Sequence, residues 1–345
     1  MSKHMINHSK PWITEVDLQV VKSVLKSGFI AQGPSVKEFE LAIANYIGVH
    51  GGVAVSSGTV ALMLALKALD IQTRDEIILP TYVCHSVADA VVNIGAVPIF
   101  CDVGLHWNMT AESIAPLISS RTKAIIIVHL FGIPADSTSF KEFGLPIIED
   151  CSQAFGAKQD TKKVGSVGDI SVLSFHATKC LTTGEGGMTI TDSKKLANKL
   201  LQMRLENTIA APMSDIQAAL GLSQLSRYPI ALQRRRELAQ CYLDKLPEQL
   251  TTTIRDVSRH NIFFRFLLTS RCKFDEVQQL FQQEGIAIRR GVDALLHRQY
   301  GLQDDGFPNA LQLFNTTISI PIYPSLSDSE QGKVIQVCKQ VLTHL

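Results

Sequence analysis

Three groups of residues in this sequence have the side chains and spacing that chemistry on a small molecule needs. The first is Ser56-Ser57-Gly58-Thr59, which lies between a predicted strand and a predicted helix. Small residues let the backbone approach a ligand closely, and the free amides and dipole at a helix N-terminus favour an anion. We therefore expect a phosphate site here; the alternative is an ordinary N-cap, where Ser and Thr are also preferred.

The second group is Glu149-Asp150-Cys151-Ser152-Gln153, in which two acidic residues end an apolar run. In open α/β sheets, ligands bind beyond the carboxyl ends of the strands, so both carboxylates fall at the expected ligand edge. One of them could hold a cationic ring nitrogen. The alternative is that Asp150 caps a following helix.

The third group surrounds Lys179. It comprises Ser174-Phe175-His176-Ala177-Thr178-Lys179, followed by Thr183-Gly184-Glu185-Gly186-Gly187. A partly buried lysine can form a Schiff base with a carbonyl compound when it supplies a neutral amine. The alternatives are a solvated loop lysine, a packed histidine and glycines that only build a turn.

Together, the three groups match the functional parts of one cofactor, pyridoxal 5′-phosphate (PLP). That molecule carries a phosphate, a pyridine nitrogen and an aldehyde, and it needs a phosphate cradle, an acid and a lysine. Their joint occurrence at one edge of one sheet favours this interpretation far more than any one group does. We therefore predict PLP as the cofactor.

The elements that must position these groups follow from the pattern of apolar residues. From about residue 53 to 191, short apolar runs alternate with helical patterns, which is typical of βαβ units around a mainly parallel sheet. Seven strands are predicted, at residues 53–56, 76–79, 97–101, 124–130, 146–150, 170–175 and 188–191. Helices are predicted at residues 59–69, 86–94, 112–118, 193–205, 214–225 and 234–246.

Beyond residue 250, a smaller α+β domain with its own sheet is expected. It is indicated by segments 262–269, 274–284, 286–289, 317–320 and 328–341, with a loop at 301–310. The predicted fold class is therefore α/β. We expect a large domain over residues 1–230, with the N-terminal segment included, and a small C-terminal domain over residues 231–345.

Composition limits the classes of protein that fit. The 345 residues are 46% hydrophobic and 19% charged with a net charge of +1, which excludes disorder and leaves no overall field for nucleic acid or an anionic membrane. We see no apolar stretch for a signal peptide or a membrane span. Seven widely spaced cysteines form no zinc or redox motif, so we expect reduced thiols, no metal and a cytoplasmic protein.

Motifs along nearly the whole chain also carry a family resemblance. They include Gly33-Pro34-Ser35-Val36, Ser57-Gly58-Thr59-Val60-Ala61-Leu62, Asp75-Glu76-Ile77-Ile78-Leu79-Pro80, Ile148-Glu149-Asp150, Ser214-Asp215-Ile216-Gln217 and Pro321-Ile322-Tyr323-Pro324. With the Lys179 block, which is the most specific, they resemble the DegT/StrS family of PLP-dependent sugar aminotransferases. The resemblance implies the aspartate-aminotransferase fold, PLP-dependent transferase fold type I, with a mostly parallel seven-stranded sheet in the large domain.

Carried over by position, the resemblance assigns roles to individual residues. It implies that Lys179 holds PLP as a Schiff base and later moves the substrate proton as general acid and base. Asp150 would keep the pyridine nitrogen protonated, and Gln153 would contact the ring or its 3′-oxygen. Gly58 and Thr59, with Ser174, would bind the phosphate through backbone amides and hydroxyls, and Ser57 beside them is counted among the cofactor-binding residues. Because such sites in this family lie between two subunits, a homodimer is implied.

Two positions depart from the family pattern. Cys84 stands where many members have an aromatic residue that stacks on the cofactor, and His85 follows it. Both are counted among the predicted cofactor-binding residues, with the stacking either taken over by His85 or absent. Many members also carry an Asn shortly before the Ser214 block, whereas this chain has Thr208-Ile209-Ala210-Ala211-Pro212-Met213. The phosphate contact that this Asn makes across the dimer is therefore not predicted.

The resemblance also implies an activity. A dehydratase branch of the family replaces the Schiff-base lysine with histidine, so Lys179 favours transamination. The expected reaction moves an amino group from L-glutamate or L-glutamine to a keto sugar, with a nucleotide-linked keto-deoxysugar as the leading acceptor, in surface polysaccharide or natural-product sugar biosynthesis. The alternatives are a cyclitol or other non-nucleotide acceptor and an inactive regulatory homologue. Arg289, Arg290 and His297 are candidates to meet phosphate, although surface arginines are usually only solvated.

Overall fold

Two main sheets organise the computed structural model of the protein, which describes residues 5–206, 211–257 and 260–342. The strands are β1 (Gly51–Val55), β2 (Glu76–Pro80), β3 (Val97–Cys101), β4 (Thr122–Val128), β5 (Ile147–Asp150), β6 (Lys158–Gln159), β7 (Lys162–Lys163), β8 (Ile170–Ser174), β9 (Gly187–Thr191), β10 (Phe266–Thr269), β11 (Arg289–Arg290) and β12 (Thr317–Ile320). The helices are α1 (Glu15–Ser27), α2 (Pro34–Ile47), α3 (Gly58–Ala68), α4 (His85–Asn93), α5 (Ala111–Ile114), α6 (Lys194–Leu205), α7 (Asp215–Ser226), α8 (Tyr228–Lys245), α9 (Glu248–Asp256), α10 (Phe274–Gln283), α11 (Leu296–Gln299), α12 (Pro308–Thr316) and α13 (Asp328–Leu342).

The large sheet has the strand order β1-β9-β8-β5-β4-β2-β3. Only β9 runs against its neighbours, because it pairs antiparallel with both β1 and β8, whereas the remaining pairs are parallel. All seven predicted strands are confirmed, each within two residues of its predicted ends. The mostly parallel seven-stranded sheet is therefore as expected.

The central strands owe their form to burial on both faces. In β4, every residue except Lys123 is buried, and in β2 and β5 all residues are buried. A parallel sheet covered by helices on both sides needs continuous apolar runs of this kind. Helix α3 packs against β8 and β9, and α6 packs against β1. The carboxyl ends of β1, β2, β5 and β8 therefore share one edge of a rigid sheet.

The second sheet is antiparallel, with the order β10-β12-β11. It is joined by the start of the chain, since Ile6 pairs with Ile286 and His8 Nε2 lies 2.8 Å from Ser319 Oγ. The predicted segments beyond residue 250 appear as β10, α10, β11, β12 and α13. Strand β12 has the predicted bounds, whereas β10 and β11 are shorter than expected. The proposed domain boundary between residues 230 and 231 falls within α8, close to its start at Tyr228.

Several local predictions need correction. The segment 301–310 is not a simple loop, because a 3₁₀ turn covers Asp304–Gly306 and α12 begins at Pro308, a residue well suited to the first turn of a helix. Helix α8 begins six residues before its predicted start at 234. Helices α1 and α2 were not predicted. Helix α2 is capped from a distance: the Asp215 carboxylate accepts hydrogen bonds from the backbone N–H groups of Gly33, Ser35 and Val36.

Candidate active site

A cavity of about 480 Å³ lies at the carboxyl edge of the large sheet. Its lining includes eight of the nine predicted cofactor-binding residues: Ser57, Gly58, Thr59, Cys84, Asp150, Gln153, Ser174 and Lys179. The ninth, His85, lines an adjoining cavity. Residues from four separate strand ends therefore meet at one place, as the position of the groups in the sequence suggested.

The predicted phosphate cradle forms where the loops after β1 and β8 lie side by side. Gly187 of β9 is paired with Val55 on one side and Ser174 on the other, which sets this spacing. A Cβ atom on Gly58 would lie only 2.8 Å from the Cβ of Ser174, so glycine is needed for the close approach. Ser57 is also an ordinary N-cap, since its Oγ accepts a hydrogen bond from Val60 N at 3.3 Å. The first-turn amides of α3 remain without carbonyl partners in the helix.

Asp150 ends β5 and is only 5% exposed. Its Oδ1 accepts a hydrogen bond from Ser152 N at 2.9 Å, and within the described part of the chain its Oδ2 receives no hydrogen bond. Turns rather than a helix follow Asp150, so the helix-cap alternative is wrong. Gln153 lies in these turns, where its Oε1 accepts from Phe131 N at 2.9 Å. The amide nitrogen of Gln153 is thus the group available to a ligand.

Lys179 lies in a turn after β8 and is partly buried. Its backbone N–H donates to the carbonyl of His176 at 2.9 Å, and its Nζ lies 5.3 Å from the centroid of the Phe264 ring. That distance is within the range of a cation–π interaction. Phe264 also lines the cavity, but the sequence analysis missed it because a phenylalanine just before a strand carries no local signal of a binding role.

The remainder of the Lys179 block forms the rim of the cavity. His176 is exposed rather than packed, with its Nδ1 2.9 Å from Thr178 Oγ1 and its Nε2 3.6 Å from Glu185 Oε1. His176 and Glu185 both line the cavity. Gly184 has φ +82°, so one glycine of this block does build a tight turn. The turn and the ligand-facing side chains are therefore features of the same segment.

The second cavity, of about 240 Å³, adjoins the first. The two share Val83, Cys84, Gln153, Arg265 and Asp293, so Cys84 stands where they meet. His85 lines only the second cavity and is exposed, with its Nδ1 3.8 Å from Asp89 Oδ2. A small side chain at position 84 thus leaves the two spaces connected.

Two arginine side chains line the main cavity, one from the second sheet and one from the segment before it. Arg265 and Arg289 line the main cavity with Asp293, and Arg265 Nη1 donates to the carbonyls of Arg290 and Gly291 at 2.9 and 2.8 Å. Burial, followed by the nearby Arg289, lowers the pKa of Arg265 to about 10, so its guanidinium stays charged at neutral pH. Arg265 was not singled out from the sequence.

Two of the three suggested phosphate-binding candidates lie elsewhere. Arg290 pairs with Asp275 at 3.0 Å, and its guanidinium lies 4.4 Å from the ring centroid of Phe274. His297 is buried, with its Nδ1 2.7 Å from Thr81 Oγ1. Only Arg289 of these three lines the main cavity. The stretch 208–213 is the one that departs from the family pattern, and its residues 208–210 lie outside the described residues. The carbonyl of Ala211 accepts a hydrogen bond from Ser56 N.

A buried polar cluster supports the end of β5. The Glu149 carboxylate accepts from His129 Nε2 at 3.0 Å, from Val167 N at 2.9 Å and from Gly168 N at 2.6 Å. Burial alone would raise the pKa of Glu149, but these hydrogen bonds outweigh it and bring the pKa to about 2. Cys151 is close enough to complete a metal-binding trio. However, His129 Nδ1 already accepts from Ala135 N at 2.9 Å, so both imidazole nitrogens are in use.

These residues fit PLP on structural grounds. A cavity of this size is within the usual range for small-ligand sites. At one end, Gly58 allows two loops that carry hydroxyl groups to approach each other closely. In the wall lies the buried carboxylate of Asp150, whose Oδ2 accepts no hydrogen bond within the described part of the chain. The amine of Lys179 borders the same space. Fold and site together define a PLP-dependent transferase.

The chain matches the DegT/DnrJ/EryC1/StrS aminotransferase family over residues 11–339, and it belongs to that family. It is a PLP-dependent sugar aminotransferase by class. The predicted family, fold and cofactor are therefore confirmed. Within the described residues, no helix combines the length and apolar character needed to cross a membrane.

Relatives and solved structures match along almost the full length. The GDP-perosamine synthase of Escherichia coli O157:H7 is 33% identical over 354 residues, covering 96% of each chain. The spore coat polysaccharide biosynthesis protein SpsC of Bacillus subtilis is 31% identical over 379 residues, covering 98% of this chain and 97% of that protein. The crystal structure of the aminotransferase TlmJ from Streptoalloteichus hindustanus superposes with a TM-score of 0.89 at 29% identity, covering 99% of each chain.

Proposed function

We propose that this enzyme transfers an amino group from L-glutamate or L-glutamine to a nucleotide-linked keto sugar, as a homodimer in the cytoplasm. The observation that carries the proposal is the joint placement of Lys179, Asp150 and the Gly58–Ser174 cradle around one cavity. Two half-reactions are needed, because the amino group would first pass from the donor to the cofactor and then from the cofactor to the sugar.

Each residue has a task that its position supports. PLP, when bound, supplies an electron-accepting ring that stabilises negative charge on the substrate carbon. Asp150, with one free carboxylate oxygen, keeps the ring nitrogen protonated. The amine of Lys179 accepts and returns the substrate proton. The hydroxyls of Thr59 and Ser174 and the first amides of α3 hold the phosphate.

The cations at the opposite side of the cavity support anionic substrates. Arg265 and Arg289 line the cavity, and neither forms an ion pair with a carboxylate within the described residues. The donor would present carboxylates to them, and a nucleotide-linked acceptor would present a diphosphate. One full-length relative is named for a GDP-linked sugar, which supports the nucleotide-linked acceptor. The adjoining space beyond Cys84 offers room for part of such a substrate.

The homodimer is supported by an exposed apolar surface. Leu18 and Leu25, seven residues apart on one face of α1, are each 55% exposed, and Phe29 just after the helix is 78% exposed. A cluster of large apolar side chains in water usually marks an interface. We expect a dimer by light scattering, and Phe29→Asp should shift it toward monomer. The cytoplasmic location is supported by the seven cysteines, none of which forms a disulfide.

The test of the activity is the absorption spectrum of the protein with PLP, before and after L-glutamate. A visible band that disappears with glutamate in wild-type protein, and is absent in Lys179→Ala, is expected. Lys195→Ala is the matched control, because Lys195 is exposed on α6 and does not line the cavity. A Lys179→Ala variant that turns over at the wild-type rate would refute the assignment.

Two further measurements separate the alternatives. Calorimetric binding of nucleoside diphosphates is expected for a nucleotide-sugar enzyme, whereas a cyclitol aminotransferase would show none. A regulatory homologue would bind PLP without any change on addition of amino donors. Unchanged spectra with both glutamate and glutamine would therefore overturn the catalytic assignment while leaving the fold intact.

A further inference from the structure

A third, much smaller cavity also borders the Lys179 turn, and it is outside the proposed cofactor site. It is bordered by the N-terminal segment, by α7 and α8, and by Lys179 and Cys180 themselves. Its volume of about 10 Å³ accommodates the centre of a single water-sized particle. The cavity is therefore too small for an organic ligand but large enough for one water molecule or one small ion.

Two buried donors in its walls have no partner among the described residues. Arg227 and Arg235 both line the cavity, and no atom of that part of the chain accepts a hydrogen bond from the Nε–H of either. Arg235 is only 4% exposed. Its Nη1 donates to the backbone carbonyls of Phe263 and Ile322, each at 3.0 Å. Buried polar atoms are nearly always paired, so two orphaned N–H groups at one cavity indicate a bound acceptor.

The charge of the lining favours an anion over water. Besides Lys179, whose amine is assigned to the cofactor, three of the lining residues are Lys or Arg, namely Lys10, Arg227 and Arg235, and none of the described lining residues is Asp or Glu. Arg227 is neutralised by Asp17, whose Oδ1 lies 2.7 Å from its Nη1. Arg235 has no carboxylate partner within the described residues: it donates to backbone carbonyls and interacts with the thiol of Cys180. A buried guanidinium without a counterion is costly, and a water molecule would satisfy the N–H groups without balancing the charge.

The two weakly acidic groups in the wall, the thiol of Cys180 and the phenol of Tyr228, do not supply the missing charge, because burial raises the pKa of each. Cys180 lines the cavity beside Arg235, and burial raises the pKa of its thiol, so that it stays protonated at neutral pH. We infer that the cavity is a site for a small monovalent inorganic anion, of the size of chloride, held by the Nε–H groups of Arg227 and Arg235. The anion neutralises Arg235 and thereby fixes α8 beside the turn that carries Lys179.

Bromide provides a direct probe of this site. Crystals of the PLP-loaded enzyme grown in sodium bromide should show an anomalous difference peak between Arg227 and Arg235. In solution, chloride should stabilise the protein relative to sodium gluconate at equal ionic strength, because gluconate is too large for the cavity. At a chloride concentration ten times its Kd, the unfolding equilibrium constant should fall about elevenfold. Both readouts are independent of transamination, so they can fail without affecting the proposed activity.

Variants complete the test. Arg235→Met removes the charge and should abolish the bromide peak. Because that variant also loses hydrogen bonds to backbone carbonyls, Cys180→Asp serves as a second one: its carboxylate would neutralise Arg235 internally and remove the halide effect. Arg236→Gln is the matched control, since Arg236 is the exposed neighbour on α8 and does not line the cavity. Water density without an anomalous peak, or an equal halide effect in Cys180→Asp, would overturn the assignment.

Discussion

Replacing Gly58 by alanine is expected to weaken PLP binding by opening the phosphate cradle. Gly58 is the first residue of α3, and the Cβ of an alanine there would lie 2.8 Å from Ser174 Cβ and 3.5 Å from Ser174 Cα. Non-bonded carbon atoms are most favourable at about 3.5–4.0 Å. The two loops must therefore separate by roughly an ångström, at the point where both are proposed to contact the phosphate.

The size of the effect follows from two opposing contributions. Overpacking of this kind costs about 1–3 kcal/mol. Alanine gains at most about 1 kcal/mol over glycine from helix propensity, and less at the first helical position. The steric cost therefore prevails by about 1–2 kcal/mol, which corresponds to a PLP Kd roughly 5–30 times higher when the strain falls on the bound state.

A double-mutant cycle identifies the cause. Fluorescence titration with PLP and urea unfolding of the apoprotein would be measured for Gly58→Ala, for Ser174→Gly and for the double variant. The alanine should cost little in the Ser174→Gly background, where the opposing Cβ is gone, whereas it should cost the full amount beside Ser174→Ala. Gly332→Ala in α13 is the control: nothing lies within 4 Å of its Cβ, so it should stabilise the protein by about 0.5–1 kcal/mol. Wild-type PLP affinity in Gly58→Ala would refute the steric reasoning.

Three further predictions concern the support of the site. The pKa of Glu149 falls from 4.5 to about 2 on folding, so its carboxylate stabilises the folded state fully above about pH 4.5 and loses this stabilisation, on the order of 3 kcal/mol, as the pH falls toward 2. In Glu149→Gln, the unfolding temperature should therefore fall less steeply with decreasing pH on the acid side. A slope equal to that of the wild type would contradict this. Asp215→Ala should lower the free energy of unfolding measured in urea by about 1–3 kcal/mol through loss of the α2 cap, and Asp215→Asn should lower it less. Equal decreases in the two variants would count against capping. Cys84→Phe should raise the KM for the keto sugar roughly tenfold by separating the two cavities, and it should not weaken PLP binding, because it places an aromatic residue where many family members stack one on the cofactor. An unchanged KM would contradict the proposed role of the adjoining cavity.

The sequence was sufficient to predict the large sheet and the grouping of the candidate site residues at its edge. Strands buried on both faces must be continuous apolar runs, and this pattern is readable without any tertiary information. In a mainly parallel sheet the strand ends also fix where the following residues meet. Asp150 and Ser174 were therefore placed at one site from their positions after two runs, and the structure does bring them to one cavity.

What could not be predicted depends on contacts between distant parts of the chain. Helix α2 is capped by Asp215, which is 182 residues away from Gly33. A helix after Asp150 is an alternative that the sequence leaves open, because Asp is preferred as an N-cap, but the segment forms turns instead. Phe264 and Arg265 precede a strand of the other sheet, and their approach to the cavity follows only from how that sheet packs.

The two sides of the cavity thus have separate origins in the chain. The cradle, Asp150 and Lys179 belong to strand ends and loops of the large sheet, whose central strands are almost entirely buried. The spacing of the cradle is set by the pairing of β1, β9 and β8. Phe264, Arg265, Arg289 and Asp293 come from the second sheet and its connections. We propose that the first set serves the chemistry common to the family and that the second set determines the choice of substrate. Residues 264–293 are therefore where this enzyme's preference among amino donors and keto sugars should be encoded.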